Sequence, residues 1–207
     1  MRTLLINPAN DINTAIEILA NGNPIAFPTE TVFGIGADIF NAEACSKIYD
    51  IKSRDIGKPL SAHVSSIAMA ESLILNPNEL FHKLAEKFLP GPLAIICPKN
   101  HLVSDAVTAG LNTISIRYPS HPDCLTLIDK FGKPLAATSA NISGEKSLDN
   151  SNDVMNVFSG AISAIIIGEC SVGIESTIIS IVDSPKIFRI GAISREEIED
   201  YLNCKTY

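Results

Sequence analysis

Apolar runs of strand length alternate with segments of helical periodicity along the chain, and this alternation restricts the fold to a few architectures. PIAFP, LAIICP, PLAATS and SAIIIG are short apolar runs bounded by turn-forming residues, which is typical of buried strands. The segment DINTAIEILANG places four apolar residues on one helical face: Ile12, Ala15, Ile16 and Leu19. Interspersed strands and helices predict one α/β domain over residues 1–207, with a twisted, open mixed sheet.

Capping residues mark the ends of several predicted helices. Asn41 is the expected N-cap of the helix in NAEACSKIYDIK, because its side chain can accept a hydrogen bond from the first turn. Ser194 and Glu197 form a capping box at the start of SREEIEDYL. Gly132 is expected to end the helix in HPDCLTLIDKFG.

Charge and cysteine content narrow the classes of function. The net charge of −7 over 207 residues argues against a general nucleic-acid coat but permits a local basic pocket. The five cysteines include no CxxC pair and the four histidines no HxH or HxxxH spacing. We therefore expect reduced thiols in a cytoplasm and no structural zinc site. No apolar run approaches the ~18 residues of a membrane span, and Asn7, Pro8 and Asp11 come too early for a signal peptide.

Polar motifs stand where the apolar strands begin or end. PTET follows IAF, TSAN follows PLAA, and GIEST leads into IISIV. Taken singly, each motif is consistent with turn chemistry, and each arginine within a strand pattern is expected to face solvent. Taken together, cations gathered at strand–loop junctions of an acidic protein indicate an anionic ligand. These cations are Lys52, Arg54, Lys58, Arg117 and Arg189.

The common phosphate and nucleophile motifs are absent from the sequence. The lone GK at Gly57–Lys58 has Lys52 where a P-loop needs its first glycine. GIG at 34–36 is followed by Ile39 where GxGxxG needs glycine, and no GxSxG occurs. The sequence therefore excludes a P-loop, a Rossmann fingerprint and a serine-hydrolase elbow.

Seven motifs, in register, resemble the YrdC/TsaC-type threonylcarbamoyl-AMP synthases. They are FPTETVFGIGAD, KSRDIGKPLSAHV, LPGPLAII, TISIRYPSHP, PLAATSANISG, GIESTII and FRIGAIS, and they span about residues 20–198. The KxR and SxN signature of this family matches Lys52, Arg54, Ser139 and Asn141. Since longer relatives carry a second domain after a linker, the chain resembles the short, single-domain form.

The resemblance implies that the chain synthesises L-threonylcarbamoyl-AMP from L-threonine, bicarbonate and ATP, with release of pyrophosphate. Partner proteins would then use the adenylate for the threonylcarbamoyladenosine modification of tRNA. Mg²⁺ would accompany the ATP phosphates, with no protein side chain as a metal ligand. The implied fold is a twisted open α/β sheet whose concave face holds both substrates.

The resemblance also implies a role for particular residues. Catalytic roles fall to Lys52, Arg54, Ser139 and Asn141. The threonine side would consist of Thr31, His63, Arg117, Ser139 and Ser176, with Arg117 as a clamp for the carboxylate. The ATP side would consist of Lys52, Arg54, Lys58, Thr113, Asn141 and Arg189.

Several positions depart from the pattern of the family. Phe33 replaces a tyrosine, Asp149 a hydroxyl residue, and Ile190 the proline of RPG, which would loosen the turn at Arg189. Ser53 and Asp55 replace the glycine and proline of KGRP. A carboxylate beside the phosphates would oppose ATP, so we expect Asp55 to cap its own loop or to pair with Lys58.

Two other classes of function stay open at this point. One is a double-stranded RNA-binding module that uses the same cationic concavity, although the net charge of −7 permits only weak RNA binding. The other is a carbamoyl-adenylate-forming transferase domain of the hydrogenase-maturation type, whose full-length proteins add zinc-finger segments that the sequence lacks.

Overall fold

One mixed sheet organises the computed structural model, which describes residues 2–207. Its ten strands, in chain order, are β1 (Leu4–Ile6), β2 (Ile25–Phe27), β3 (Gly34–Asp38), β4 (Ser61–His63), β5 (Leu93–Pro98), β6 (Thr113–Arg117), β7 (Leu135–Ser139), β8 (Ala164–Ile166), β9 (Thr177–Ser180) and β10 (Lys186–Arg189). Their order in the sheet is β1-β8-β2-β3-β7-β4-β6-β5-β9-β10. Parallel and antiparallel pairs both occur, so the predicted mixed α/β sheet is confirmed.

Eight helices connect these strands within the described residues. They are α1 (Pro8–Ala20), α2 (Ala42–Lys52), α3 (Ile67–Leu73), α4 (Glu79–Phe88), α5 (Asp105–Thr108), α6 (Pro122–Phe131), α7 (Ser151–Phe158) and α8 (Arg195–Leu202). The predicted caps are confirmed: Asn41 accepts from the Ala44 amide, and Ser194 and Glu197 bond each other's backbone. Gly132 ends α6 in the left-handed conformation, with φ 72°. No helix in this part of the chain is long and apolar enough to span a bilayer.

Alternation along the strands divides the core between the two faces of the sheet. One face packs against α2, α4, α5, α7 and α8 through residues such as Ile48, Phe81 and Phe158. On the other face, α1 and α6 cover the strands around β8, β2 and β7, with Leu19 and Leu127 buried between them. The same face continues over β4, β6, β5 and β9, outside this second core cluster. That remaining surface is available for a ligand.

Candidate functional site

A cavity of about 320 Å³ lies on this remaining part of the sheet face. Its floor follows paired residues across seven neighbouring strands, from β3 to β10. Gly34, Ala94 and Ala137 keep the floor open because they carry little or no side chain. Polar side chains lie between these small residues, at Ser61, His63 and Arg117. In sheet order the complete row is Gly34, Ser139, Ala137, Ser61, His63, Arg117, Ala94, Ile178 and Arg189.

The cavity brings together the predicted site residues, with one exception. The lining includes Lys52, Arg54, Lys58, Arg117, Arg189, Thr31, His63, Ser139, Asn141 and Ser176. Thr113 is not part of it: it begins β6 and pairs with Pro98. Thr113 lies four positions before Arg117, which puts about 13 Å between their Cα atoms at ~3.3 Å per residue. The cavity therefore does not reach Thr113.

Lys52 closes a hydrogen-bond network beneath the site. It ends α2, is only 1% exposed, and donates to Thr138 Oγ1 at 3.3 Å, to Asn141 Oδ1 at 3.2 Å and to the Ser139 carbonyl. These three acceptors use all three N–H groups of the ammonium. Burial, with a smaller contribution from Arg54, lowers the pKa of Lys52 to about 8, and Glu175 opposes this shift. Lys52 therefore fixes the end of β7 before any ligand arrives.

Asn141 is held as firmly as Lys52. Its Oδ1 also accepts from Ser139 Oγ at 2.7 Å, and its Nδ2 donates to the carbonyls of Ile142 and Glu145, both at 2.9 Å. Ser139, which ends β7, and Asn141, which follows it, are thus hydrogen-bonded to each other, and Asn141 shapes the loop that follows. Both Nδ2 hydrogens of Asn141 are already used within the protein.

Arg54 and Lys58 are the cations that keep free donors. Arg54 donates from Nε to the Lys58 carbonyl at 3.2 Å and from Nη2 to the Pro59 carbonyl at 3.0 Å. These bonds use two of its five N–H groups and shape its own loop. Neither side chain has a carboxylate partner within the described residues. The loop between α2 and β4 therefore presents two cations to the cavity, and neither forms an ion pair with a described residue.

Asp55 caps this same loop. Its Oδ1 accepts from the Gly57 amide at 2.9 Å, and its carbonyl accepts from the Lys58 amide at 3.0 Å. The carboxylate is not part of the cavity lining. The expectation that Asp55 caps its own loop is confirmed.

Arg117 is buried and almost fully committed, although a lone arginine in such a strand is expected to face solvent. It is 2% exposed and pairs with Glu30, which also accepts from the Ser120 amide at 3.1 Å. Its other donors bond Ser176 Oγ at 2.8 Å and the carbonyls of Gly91 and Tyr118. One of five N–H groups remains, so Arg117 offers a ligand carboxylate a single bond rather than a two-pronged clamp.

Arg189 ends β10, and its side chain is held by the two residues that precede β9. Its Nε and Nη2 both donate to the Ser176 carbonyl, at 3.1 and 2.9 Å, and Nη1 contacts Glu175. The buried Thr177 hydroxyl accepts from the amides of Gly191 and Ile193 at 2.8 and 3.1 Å. These bonds fix the turn without the proline that Ile190 replaces.

His63 contributes a polar atom that has no partner. Its Nδ1 is buried and makes no hydrogen bond to any described residue. Burial, and then the neighbouring Arg117, lower the pKa of His63 to about 3, so the ring is neutral at pH 7. A buried polar atom without a partner is costly. His63 itself lies in the cavity lining.

Thr31 presents an acceptor to the cavity because its neighbour fixes its orientation. Thr29 donates to the Val32 carbonyl at 2.7 Å, so in the 2.9 Å contact between the two threonine hydroxyls Thr31 is the donor. The Thr31 lone pairs then remain free for a ligand donor. Glu175, Thr29 and Thr138 also line the cavity, and Glu30 pairs with Arg117. All four belong to the polar motifs PTET, TSAN and GIEST, but no individual role was predicted for any of them from sequence.

Comparison with known proteins places this sheet and cavity within a family. The Sua5/YciO/YrdC family model, described as telomere recombination, matches residues 17–191. The chain belongs to this family, and the predicted family resemblance is confirmed.

Named relatives are similar over most of the chain. A threonylcarbamoyl-AMP synthase of Pyrococcus abyssi is 39% identical over 91% of the chain, and one of Bacillus subtilis is 41% identical over 91%. These alignments cover 56% and 55% of the relatives, so the chain spans about half their length. The structure of P. abyssi Sua5 complexed with L-threonine has a TM-score of 0.94 and 36% identity, over 99% of this chain and 63% of that one.

Proposed function

We propose that this chain synthesises L-threonylcarbamoyl-AMP from L-threonine, bicarbonate and ATP and releases pyrophosphate. The observation that carries the proposal is the cavity itself, whose lining holds both the cations Arg54 and Lys58, which keep free donors, and the neutral His63 and the Thr31 hydroxyl. One side suits phosphates and the other a small polar molecule. The names of the relatives and the threonine complex of P. abyssi Sua5 support the same assignment.

The proposed chemistry needs positioning and charge neutralisation. The threonine amine and bicarbonate condense with loss of water to a carbamate. A carbamate oxygen then forms a bond to the α-phosphorus of ATP, and the bond from that phosphorus to the β-phosphate oxygen breaks. Both reactants are anions, so cations at Arg54, Lys58 and Arg189 would stabilise their approach and the departing pyrophosphate. The rigid Lys52–Asn141 network would keep the cavity wall fixed during the reaction.

The proposal extends to ions, partners and location. The described residues hold no group of three His, Cys, Asp or Glu side chains arranged for a metal, so Mg²⁺ would bind mainly through the ATP phosphates. Partner proteins would take the adenylate to tRNA. All five cysteines are free thiols, which supports a cytoplasmic location.

Pyrophosphate release tests the proposed function directly. The purified chain is incubated with ATP and Mg²⁺, with threonine and bicarbonate added together, singly or not at all. Release only in the complete mixture, with an adenylate of matching mass, is the expected result. Equal release without threonine would exclude the synthase.

Substitution of Asp55 is expected to have little effect on ATP use. Asparagine keeps the side-chain oxygen that accepts from the Gly57 amide, so Asp55→Asn should change the KM for ATP by only about two- to threefold. Steady-state kinetics with varied ATP measure this. A KM lowered by about tenfold would instead place the carboxylate within reach of the phosphates.

An amino-acid preference follows from the proposed threonine site. Valine has the shape of threonine but no hydroxyl, and serine keeps the hydroxyl but lacks the methyl. A site that bonds the hydroxyl should reject valine by roughly 10³-fold or more and serine by roughly 10–100-fold. Competition experiments that compare kcat/KM values measure both ratios. Comparable use of valine and threonine would contradict a hydroxyl-reading site.

A further inference from the structure

Glu175 is the one carboxylate among the described residues that line the cavity, which also include five cations. It lies just before β9, and its side chain is 33% exposed. One oxygen contacts Arg189 Nη1, and the other accepts from Ser147 Oγ at 2.7 Å. Ser147 belongs to the loop after Asn141, so this carboxylate joins two separate walls of the cavity.

Glu175 is surrounded by cationic side chains, as a bound anion would be. Five cationic side chains line the same cavity, and they repel one another when no anion is present. Glu175 opposes the fall in the pKa of Lys52, so its negative charge is felt across the site. Arg189 has three N–H groups left after its two bonds to the Ser176 carbonyl, and Glu175 takes one of them. A phosphate oxygen would need the same donors.

We propose that Glu175 is an internal counter-anion, whose carboxylate holds Arg189 in the ligand-free protein and is displaced when a phosphate group binds. The inference rests on the proposed function only in taking the ligand anion to be a phosphate. Displacement also breaks the bond from Ser147, so phosphate binding is linked to the position of the loop at residues 142–149. The carboxylate offsets the mutual repulsion of the cations.

Binding of inorganic pyrophosphate tests this inference without catalysis. Isothermal titration calorimetry compares the affinity of the unmodified protein for pyrophosphate with that of Glu175→Gln. The buffer contains EDTA and about 50 mM salt but no threonine. Glutamine keeps the size and loses the charge, so pyrophosphate should bind about tenfold more tightly. The matched control is Glu79→Gln, which removes a carboxylate paired with Lys83 at 3.0 Å on α4, outside the cavity lining. Its affinity should stay within about twofold, because the charge is exposed and distant.

Weaker or unchanged binding in Glu175→Gln would overturn the inference, because the carboxylate would then position Arg189 or hold a metal. Ser147→Ala gives an independent measurement if Glu175→Gln does not fold: loss of the hydroxyl weakens the hold on Glu175 and should tighten pyrophosphate by about two- to threefold. An unchanged affinity in Ser147→Ala would also count against the inference. If Glu175→Gln binds pyrophosphate more tightly but the unmodified protein makes no adenylate, only the proposed function is contradicted. If the unmodified protein makes the adenylate but Glu175→Gln binds pyrophosphate with unchanged affinity, only the counter-anion inference is contradicted.

Discussion

Replacement of Arg54 by alanine is expected to lower the rate of pyrophosphate release by roughly 10²-fold or more, the scale seen when one transition-state charge stabiliser is removed. Arg54 has three N–H groups that no described residue accepts, and it faces a cavity in which Lys52 is already committed. Its charge is therefore available to a phosphate at every stage of the reaction. Initial rates at saturating threonine and bicarbonate measure the loss.

Arg54→Lys is the matched control for this prediction. Lysine keeps the charge but loses the planar fork and its two bonds to the Lys58 and Pro59 carbonyls. Its rate should lie between those of Arg54→Ala and the unmodified protein. A rate within about threefold in a folded Arg54→Ala protein, with an unchanged thermal midpoint, would show that the cation is merely solvated.

Among the substitutions proposed for this protein, Glu30→Ala is expected to lower the free energy of unfolding the most. Glu30→Ala leaves the guanidinium of Arg117 buried without its counter-ion, which should lower the free energy of unfolding by about 3–5 kcal/mol. The Ser120 amide loses its acceptor as well. Urea denaturation at pH 7 measures the change from the shift in midpoint at constant slope.

Substitution of Arg117, the ion-pair partner of Glu30, supplies the control for this prediction. In Glu30→Ala combined with Arg117→Met neither charge of this pair remains, so the combined loss should be smaller than the sum of the two single losses by about 1 kcal/mol or more. Strict additivity would mean that the two side chains do not interact. A loss below about 1 kcal/mol in Glu30→Ala alone would mean that water reaches the guanidinium.

Periodicity predicted most of the sheet but not β3, and the reason is local. GIGAD contains two glycines, which are weak strand formers. The aromatic ring of Phe27 crosses them: a Cβ on Gly36 would lie 2.9 Å from that ring and 3.1 Å from the Cβ of Ala137. Packing therefore requires glycine where propensity disfavours a strand. The strand β1 and the short helices α3 and α5 were also missed, since each is too short to show a period.

The charges of the site could be predicted, whereas their partners could not. Cations stand out in an apolar pattern, and their family motifs matched residue by residue. The pairing of Arg117 with Glu30 joins residues 87 positions apart, so nothing local indicated that Arg117 would be buried. The view of Arg117 as an isolated, solvent-facing residue is wrong because this carboxylate compensates its charge. The three acceptors of Lys52 likewise depend on the meeting of α2 with the end of β7.

The order of strands also determines when the cavity can form during synthesis. β1 pairs with β8, β3 with β7 and β5 with β9, so most of the sheet joins segments that leave the ribosome far apart in time. Such non-local pairings form slowly. Glu175 and Ser176 lie just before β9, and Arg189 ends β10. Until β9 docks, β5 presents an open edge that can pair with another chain. A nascent chain is therefore most exposed to aggregation just before it can first bind a ligand, and chaperone protection would matter most in that interval.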